Sequence, residues 1–237
     1  MSQDFKDTQT AQGWDADTRY YNPTRPEQLD LLLSIIEAEH KPGDIILDLG
    51  FGSGLVEAMI FQRIPGTRVI GVDSSPAMME LARERLEAYT AQYTTIEHDL
   101  LDLRGLPVEV GTFPFVISIQ ALHHLSDSDM QVAYAAIHDL LTPGGLFLLL
   151  DRVAIDKPAL FNVYQAVWRW QDAHYGSQVA GHEGATFPEY LDKLADRADI
   201  PLSLERHLEL MREVGLHGAV LHAHGIRVLF AARKTAG

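Results

Sequence analysis

The sequence of 237 residues contains no cysteine and no long apolar run. The absence of cysteine excludes disulfide bonds, a thiolate metal site and a thiol nucleophile. No stretch approaches the roughly 20 apolar residues that a membrane-spanning helix needs. The N-terminal segment, MSQDFKDTQTAQGWD, is polar and acidic, and it does not resemble a signal peptide. These absences favour a soluble cytoplasmic protein, and we expect no association with a membrane.

Positive charge is also scarce. There are 19 lysine and arginine residues against 33 aspartate and glutamate residues, which gives a net charge of −14. We find no basic stripe, and an acidic surface repels phosphate backbones, so we expect no nucleic-acid partner. The chain is long enough, and at 46% hydrophobic residues apolar enough, to bury the core of one large domain.

Short apolar strands alternate with helical segments along most of the chain. Strands are predicted at residues 45–49, 69–72 and 94–98 and in the runs FPFVISIQ and LFLLL. The first helix begins near Pro26, and Ser75 followed by Pro76 is typical of a helix start. Five such alternations predict a doubly wound α/β sheet. Ligands of such sheets bind at the carboxyl ends of the strands.

We divide the chain into an N-terminal arm, residues 1–25, and one domain, residues 26–237. Residues 1 to about 18 of the arm are predicted to be loosely ordered. Residues 156–201, approximately, interrupt the alternation and are read as a helical insertion. A helix and an antiparallel hairpin are predicted after it. The aromatic residues of the insertion form either its core or the lining of a substrate pocket, and these are Phe161, Tyr164, Trp168, Trp170 and Tyr175.

The stretch ILDLGFGSGL carries three glycines, Gly50, Gly52 and Gly54, directly after the first predicted strand. Glycines at this place let the backbone approach a ligand closely, or they simply form a tight turn. Leu55 stands where the dinucleotide fingerprint needs its third glycine, and no Gly-Lys-Ser/Thr sequence follows. A dinucleotide and a phosphate loop are therefore both disfavoured, whereas other nucleosides remain open.

Two acidic residues close the next two predicted strands. A carboxylate at Asp73 can accept hydrogen bonds from the two hydroxyls of a ribose, or it can cap the following helix. Asp99 can accept from an adenine amino group, or it is a solvated loop residue. Because both acids and the glycine loop fall at the same edge of the sheet, together they favour a nucleoside site.

Five motifs resemble, in order and spacing, those of class I S-adenosylmethionine-dependent methyltransferases: LDLGFGSG, VIGVDSSPAMMELARERL, IEHDLLDL, FVISIQALHHL and LLTPGGLFLLLD. The resemblance covers about residues 26–151. It implies a seven-stranded, mostly parallel, Rossmann-like fold and S-adenosyl-L-methionine as the cofactor. It also implies in-line methyl transfer to a small-molecule acceptor. The implied cofactor-binding residues are Gly50, Gly52, Gly54, Asp73, Ser74, Met78, Asp99, Leu100, Gln120 and, as an N-terminal aromatic that closes the site, Tyr21.

Two features of this resemblance stay open at the level of the sequence. Phe51 is bulkier than the small residue usual between the first two glycines of the family, so the direction of its side chain is not fixed. The N-terminal aromatic is either Tyr20 or Tyr21, and both are equally compatible with simple packing ahead of the first helix.

Histidines are the candidate catalytic residues. His123 and His124 in ALHHL follow the fourth strand, where a general base is needed if the acceptor must lose a proton. The same pair is compatible with a structural role. His222 and His224 share a face of a predicted strand and, with His182 or Glu183, are a weaker candidate for metal ligation. We predict no metal.

Two other functions remain open. SPAMMELARERL, together with the insertion ahead of SLERHLELMREVGL, is also similar to carboxy-S-adenosylmethionine synthases, which alter the sulfonium methyl group instead of transferring it. These enzymes need an arginine to hold the added carboxylate, and Arg197 and Arg206 are the candidates. The other alternative is a non-catalytic S-adenosylmethionine-binding module. The sequence does not identify the acceptor, and a homodimer is left open.

Overall fold

A computed structural model describes residues 20–235 of the chain. Most of the predicted N-terminal arm, including its loosely ordered stretch, lies outside the described residues. Within residues 20–235, no helix has both the length and the apolar character that crossing a membrane requires.

Seven strands form one sheet, in the order β3-β2-β1-β4-β5-β7-β6. The first five are parallel, and β7 runs antiparallel to both β5 and β6. This confirms the predicted doubly wound, mostly parallel Rossmann-like sheet. The strands are β1 Ile45–Leu49, β2 Arg68–Asp73, β3 Tyr93–Glu97, β4 Phe113–Ile119, β5 Leu141–Arg152, β6 Leu216–His224 and β7 Arg227–Lys234.

The helices connect and cover these strands. As predicted, Ser75 caps the third helix, because its hydroxyl accepts a hydrogen bond from the Met78 amide at 3.2 Å. The helices are α1 Arg25–Glu39, α2 Leu55–Arg63, α3 Pro76–Arg85, α4 Asp127–Leu140, α5 Phe161–Tyr175, α6 Val179–Glu183, α7 Phe187–Asp196 and α8 Leu204–Glu213.

The core consists of two large apolar clusters, one on each face of the sheet. Leu149 in β5 belongs to the cluster under α4 and α8, whereas its neighbours Leu148 and Leu150 belong to the cluster under α1 and α2. Successive residues of a strand point to opposite faces, so a strand covered on both faces is apolar throughout. This explains why FPFVISIQ and LFLLL are continuous apolar runs.

Helices α5, α6 and α7 follow β5 and carry a third, smaller apolar cluster. Phe161 and Trp168 are buried in this cluster with Tyr190. Trp170 and Tyr175, in contrast, are 51% and 45% exposed. The aromatic residues of the predicted insertion therefore divide between a small core and the surface.

Candidate active site

In the glycine loop between β1 and α2, close packing leaves no room for a side chain at two of the three glycines. A Cβ atom at Gly50 would overlap Ala121 Cβ, and one at Gly54 would lie 2.9 Å from Leu86 Cδ1. Gly52 differs, because the nearest atom to an added Cβ is the Gly50 carbonyl oxygen at 3.9 Å. All three have positive φ angles, which favour glycine. A Cβ atom would therefore be accommodated at Gly52 but not at Gly50 or Gly54.

Phe51 packs into the core. Its side chain is buried and its ring lies 6.2 Å from that of Tyr93. A Cβ atom at Gly71 would overlap this ring, so Gly71 in β2 makes room for it. The bulky residue therefore leaves the surface of the glycine loop clear. This settles its direction and explains a glycine that the sequence analysis overlooked.

Asp73 ties the end of β2 to the glycine loop. Its Oδ2 accepts from the Gly52 amide and its Oδ1 from the Ser75 amide, both at 2.8 Å. Burial raises the pKa of Asp73, and the amides of Ser75, Gly52 and Ser74 partly offset the shift. Each carboxylate oxygen has a second lone pair. Asp73 can therefore brace the loop and still accept hydrogen bonds from a ligand.

A buried pair of carboxyl groups lies next to the same loop, Asp48 in β1 and Glu57 in the first turn of α2. Burial and then the charge of Glu57 raise the pKa of Asp48 well above its usual range, and burial also raises that of Glu57. Two adjacent buried carboxyl groups share one proton rather than ionise together. The pair therefore places two acidic groups in a buried position beside the glycine loop, and burial and mutual repulsion disfavour its doubly ionised state. No local sequence pattern marks this pair, because Asp48 and Glu57 meet only across the strand-to-helix turn.

The other predicted cofactor residues surround this loop or follow neighbouring strands. Leu100 Cδ1 lies 3.8 Å from where a Gly50 Cβ would stand, so these two residues come together. Asp99 is exposed and accepts from the Leu101 amide at 3.0 Å, as the cap of a short helical turn. Ser74 is exposed and Met78 is buried. A role for these side chains in binding the cofactor stays a prediction.

On the other half of this sheet edge, His123 is held between two carboxylates. Its Nδ1 lies 2.5 Å from Asp151 Oδ1 and its Nε2 3.4 Å from Asp199 Oδ1. Burial lowers the pKa of His123, but the charges and hydrogen bonds of Asp151 and Asp199 outweigh it and raise the pKa above its usual value. An imidazolium donates from both nitrogens and has no lone pair for a base. This geometry disfavours His123 as the general base.

The environment of His124 favours the neutral imidazole, in contrast to that of His123. Its Nδ1 lies 3.1 Å from the carbonyl oxygen of Ala198, which fixes the proton on Nδ1 and leaves the lone pair on Nε2. Burial and the neighbouring His123 charge lower its pKa, and 36% of its side chain is exposed. Ala198 and Gln120, the only non-glycine residues in the described part of the chain with positive φ, flank this pair. Such strained residues cluster at functional sites.

A buried ionic network connects these histidines to the helices after β5. Arg152 at the end of β5 donates to Asp199 at 2.6 Å and to Glu183 in α6 at 2.7 Å. Arg197 contacts the same two carboxylates, at 3.0 and 3.3 Å. Burial alone would raise the pKa of Glu183, but Arg152 and the other arginines lower it to about 2. Both acids are therefore ionised, and the network fixes α6 against the sheet.

Tyr21 lies beside this network. Its ring stacks on that of His182 at 4.0 Å, and His182 Nε2 lies 3.0 Å from Arg197 Nη1. Burial lowers the pKa of His182 to about 4, so the neutral ring accepts from Arg197. The Gln178 amide donates to the Tyr20 carbonyl at 2.9 Å. The N-terminal aromatic therefore contacts the helices after β5, and whether it also covers the cofactor stays a prediction.

Within residues 20–235, the only group of three or more potential metal ligands whose donor atoms lie within 4.8 Å of one another is His123, His124 and Asp199. The set suggested by the sequence is not assembled, because His222 lies 3.3 Å from Gln28 and His224 is stacked near Trp170. In the assembled set, Asp199 is already paired with two arginines. Hydrogen bonds and ion pairs thus account for it without a cation.

Comparison with known proteins agrees with this geometry. The profile of a family described as a methyltransferase domain matches residues 46–145. A demethylmenaquinone methyltransferase of Thermus thermophilus is 29% identical over 68% of this chain and 70% of its own length. Carboxy-S-adenosyl-L-methionine synthases of Klebsiella pneumoniae (29% identical; 76% and 70% coverage) and Trichlorobacter lovleyi (31% identical; 53% and 52%) are also similar. The chain thus spans only about half the length of the last of these.

Solved structures show the same fold. An O-methyltransferase family protein from Burkholderia thailandensis superposes with a TM-score of 0.69 at 18% identity, covering 98% of this chain and 61% of that one. Haemonchus contortus phosphoethanolamine N-methyltransferase 2, solved with S-adenosyl-L-methionine, gives 0.66 at 18% identity, covering 89% and 52%. The motifs, the sheet order, the family match over residues 46–145 and the named relatives agree: the chain contains a methyltransferase domain and is similar to class I S-adenosylmethionine-dependent methyltransferases.

Proposed function

We propose that this protein binds S-adenosyl-L-methionine over the glycine loop and transfers its methyl group to a small-molecule acceptor. The observation that carries this proposal is the bridge from Asp73 to the amides of Gly52 and Ser75. The bridge places a carboxylate with spare lone pairs next to Gly52, the loop glycine at which an added Cβ would meet no side chain. Both the family match and the solved relative with this cofactor support the proposal.

The residues present fit this cofactor at three points. Asp73 would accept from the ribose hydroxyls, and the carboxyl pair of Asp48 and Glu57 lies beside the loop that would hold the cation. Gly52 leaves room for the amino-acid end. When bound, the cofactor supplies an activated methyl group on a sulfonium, and displacement from it needs no covalent help from the protein. The protein contributes alignment and exclusion of water.

We assign His124 as the base that removes a proton from the acceptor where the acceptor carries one. Its Nε2 holds the lone pair, and the Ala198 carbonyl fixes the ring. The neighbouring His123 positions Asp199 and Asp151 and lowers the pKa of His124 through its charge. A neutral base next to a buried charged network suits proton removal near neutral pH.

The test measures formation of S-adenosylhomocysteine with a panel of small acceptors, with the methylated product identified by mass spectrometry. With an accepted substrate, His124→Gln should lower kcat by roughly 10²- to 10⁴-fold, the usual contribution of a general base. Cofactor affinity should stay unchanged. His217→Gln, on the exposed face of β6, is the matched control. Equal rates for the two variants would exclude His124 as the base.

The similarity to two carboxy-S-adenosyl-L-methionine synthases favours one alternative, in which the enzyme carboxylates the methyl group of the cofactor. Of the two arginines suggested for this role, Arg206 lies on the surface, and its Nε and Nη2 donate hydrogen bonds to the carboxylate of Asp127. Arg197 is in the buried network, but its donors already contact Glu183, Asp199 and His182. Mass spectrometry of the copurified nucleoside separates the functions, because a species heavier by one carboxyl group contradicts methyl transfer.

A further inference from the structure

Arg227 is the least satisfied cation of the buried network. It begins β7, directly opposite Arg152 in the strand register, and only 13% of its side chain is exposed. Its closest carboxylate is Glu183, with Nη2 3.9 Å from Oε1, which is too long for a hydrogen bond. Its guanidinium donates no hydrogen bond to any of residues 20–235. The donors of this fork therefore lack an acceptor among the described residues, and none of its nitrogens is fully buried, so a solute can reach them.

The charges around Arg227 do not balance. Arg152, Arg197 and Arg227 face two ionised carboxylates, Glu183 and Asp199, so one positive charge remains. The pair of His123 and Asp151 adds no net charge. Burial and then the charge of Arg152 lower the pKa of Arg227 to about 10. Two like charges side by side in a buried place are costly unless an anion joins them.

Part of Arg152 and part of Glu183 are unsatisfied as well. Arg152 Nε is buried and has no hydrogen-bond partner in the described part of the chain, whereas Glu183 Oε1, which also has none, is an acceptor that lacks a donor and gives no support for an anion. A monoanion between the two guanidinium groups would supply acceptors for Arg227 and neutralise the remaining charge. A carboxylate has the single charge and the two coplanar oxygens that match a guanidinium fork.

The carboxylate of the cofactor's methionine cannot serve here if it lies over the glycine loop. Strand β7 is separated from β1 by β4 and β5. Three strand spacings of about 4.8 Å put Arg227 roughly 14 Å from the end of β1. Arg227 is instead on the side of His123 and His124, where the acceptor must approach.

We propose that Arg227 binds a carboxylate group of the methyl acceptor, so that the substrate is a small carboxylic acid. That the bound acid is a methyl acceptor rests on the proposed function. Binding of a carboxylate at Arg227 does not depend on it. The acid end lies on Arg227 beside Arg152, and the group that is methylated lies toward His124 and the cofactor.

The experiment measures thermal unfolding with increasing benzoate, with benzamide as the neutral isostere and sodium chloride holding the ionic strength constant. Benzoate should raise the Tm of the wild-type protein saturably, and benzamide should not. Arg227→Gln should weaken the apparent affinity for benzoate by roughly ten- to a hundredfold. The matched control is Arg206→Gln, which removes the same charge from an exposed ion pair and should retain the response.

The failures of the two proposals are distinguishable by a parallel titration with S-adenosylhomocysteine. Binding of this nucleoside without a benzoate response overturns the carboxylate site and leaves methyl transfer standing. Benzoate should still bind when the nucleoside is present. If the nucleoside abolishes the benzoate response, or if the copurified cofactor carries an extra carboxyl group, the anion belongs to the cofactor and the proposal is overturned.

A second measurement covers the case in which Arg227→Gln does not fold. The arginine-selective reagent phenylglyoxal is applied to wild-type protein, and peptide mass spectrometry reports the modification of each arginine. Benzoate should slow the modification of Arg227 and leave that of Arg206 unchanged. Equal rates at Arg227 with and without benzoate would overturn the proposal.

Discussion

The two halves of the sheet edge are built in different ways. At the ends of β1 and β2, backbone amides and carboxylates that are close in sequence form the proposed cofactor side, as in the contact of Gly52 with Asp73. At the ends of β4 and β5 and the start of β7, side chains from distant segments form the proposed acceptor side, as in the contact of Arg152 with Asp199. The first half follows from a local motif, whereas the second exists only once the chain has folded.

The halves also differ in charge. The cofactor side is acidic, with Asp73 and the carboxyl pair of Asp48 and Glu57. The acceptor side holds three arginines within a chain whose net charge is −14. A cationic cofactor and an anionic acceptor would each meet the opposite charge. The overall charge of a chain therefore predicts little about the charge of a buried site.

The largest expected effect comes from breaking the acceptor side at Arg152. Arg152→Met leaves Glu183 and Asp199 buried with fewer partners, and loss of one member of a buried ion pair costs about 3–5 kcal/mol of unfolding free energy. Denaturant unfolding measures this loss. Where the variant is folded, its affinity for S-adenosylhomocysteine should be unchanged, because the cofactor side does not use Arg152.

Arg206→Met is the matched control for this prediction. Arg206 also makes ion pairs, with Asp127, Glu209 and Glu213, but these are exposed. Exposed pairs are screened by water and salt, so the loss should be much smaller. Equal losses in both variants would mean that the buried network has no special role in stability.

The second-largest effect is expected on the affinity for the cofactor, from a substitution of Asp73. Asp73→Ala removes the acceptor for the Gly52 and Ser75 amides and the predicted acceptor for the ribose. Loss of a charge-assisted hydrogen bond, roughly 1.5–3 kcal/mol, should weaken binding of S-adenosylhomocysteine about 10- to 150-fold in calorimetry. The control is Asp30→Ala on the surface of α1. Unchanged affinity in a folded Asp73→Ala protein would refute the ribose role.

The sequence predicts most of the fold because its signals are local. Continuous apolar runs reveal strands buried on both faces, and Ser75 with Pro76 marks a helix start. The glycine loop and Asp73 can also be identified from the sequence, because they lie within about twenty residues of each other. Phe51 could not be oriented from sequence, because the space for its ring is provided by Gly71 on a neighbouring strand.

The acceptor side could not be predicted in the same way. His123 and His124 are identical in type and adjacent in sequence, yet Asp151 and Asp199, 28 and 76 positions downstream of His123, give them different states. Arg227 carried no signal, since its importance lies in its register with Arg152. Long-range pairing decides these cases, and no local pattern encodes it.

The smallest expected effect is on the pH dependence of stability, to which His123 and His124 contribute with opposite signs. The pKa of His123 is raised in the folded protein, because Asp151 and Asp199 outweigh the cost of burial. Its contribution to stability is therefore full below its unfolded pKa of about 6.5 and is lost as pH rises through the folded pKa. The pKa of His124 is lowered, by burial first and by His123 next, so its contribution is present above about 6.5 and is lost as pH falls.

His123→Gln and His124→Gln should consequently change the pH dependence of unfolding in opposite directions. Between about pH 5 and 9 Asp151 and Asp199, whose pKa values are lowered, do not titrate, so the two histidines can be compared without them. The deficit of His123→Gln relative to wild type should shrink as pH rises, whereas His124→Gln should lose less stability than wild type as pH falls. Denaturant midpoints at several pH values measure both. Shifts of the same sign would mean that the pair titrates as one group, and His124 would then lose the neutral state on which its role as a base depends.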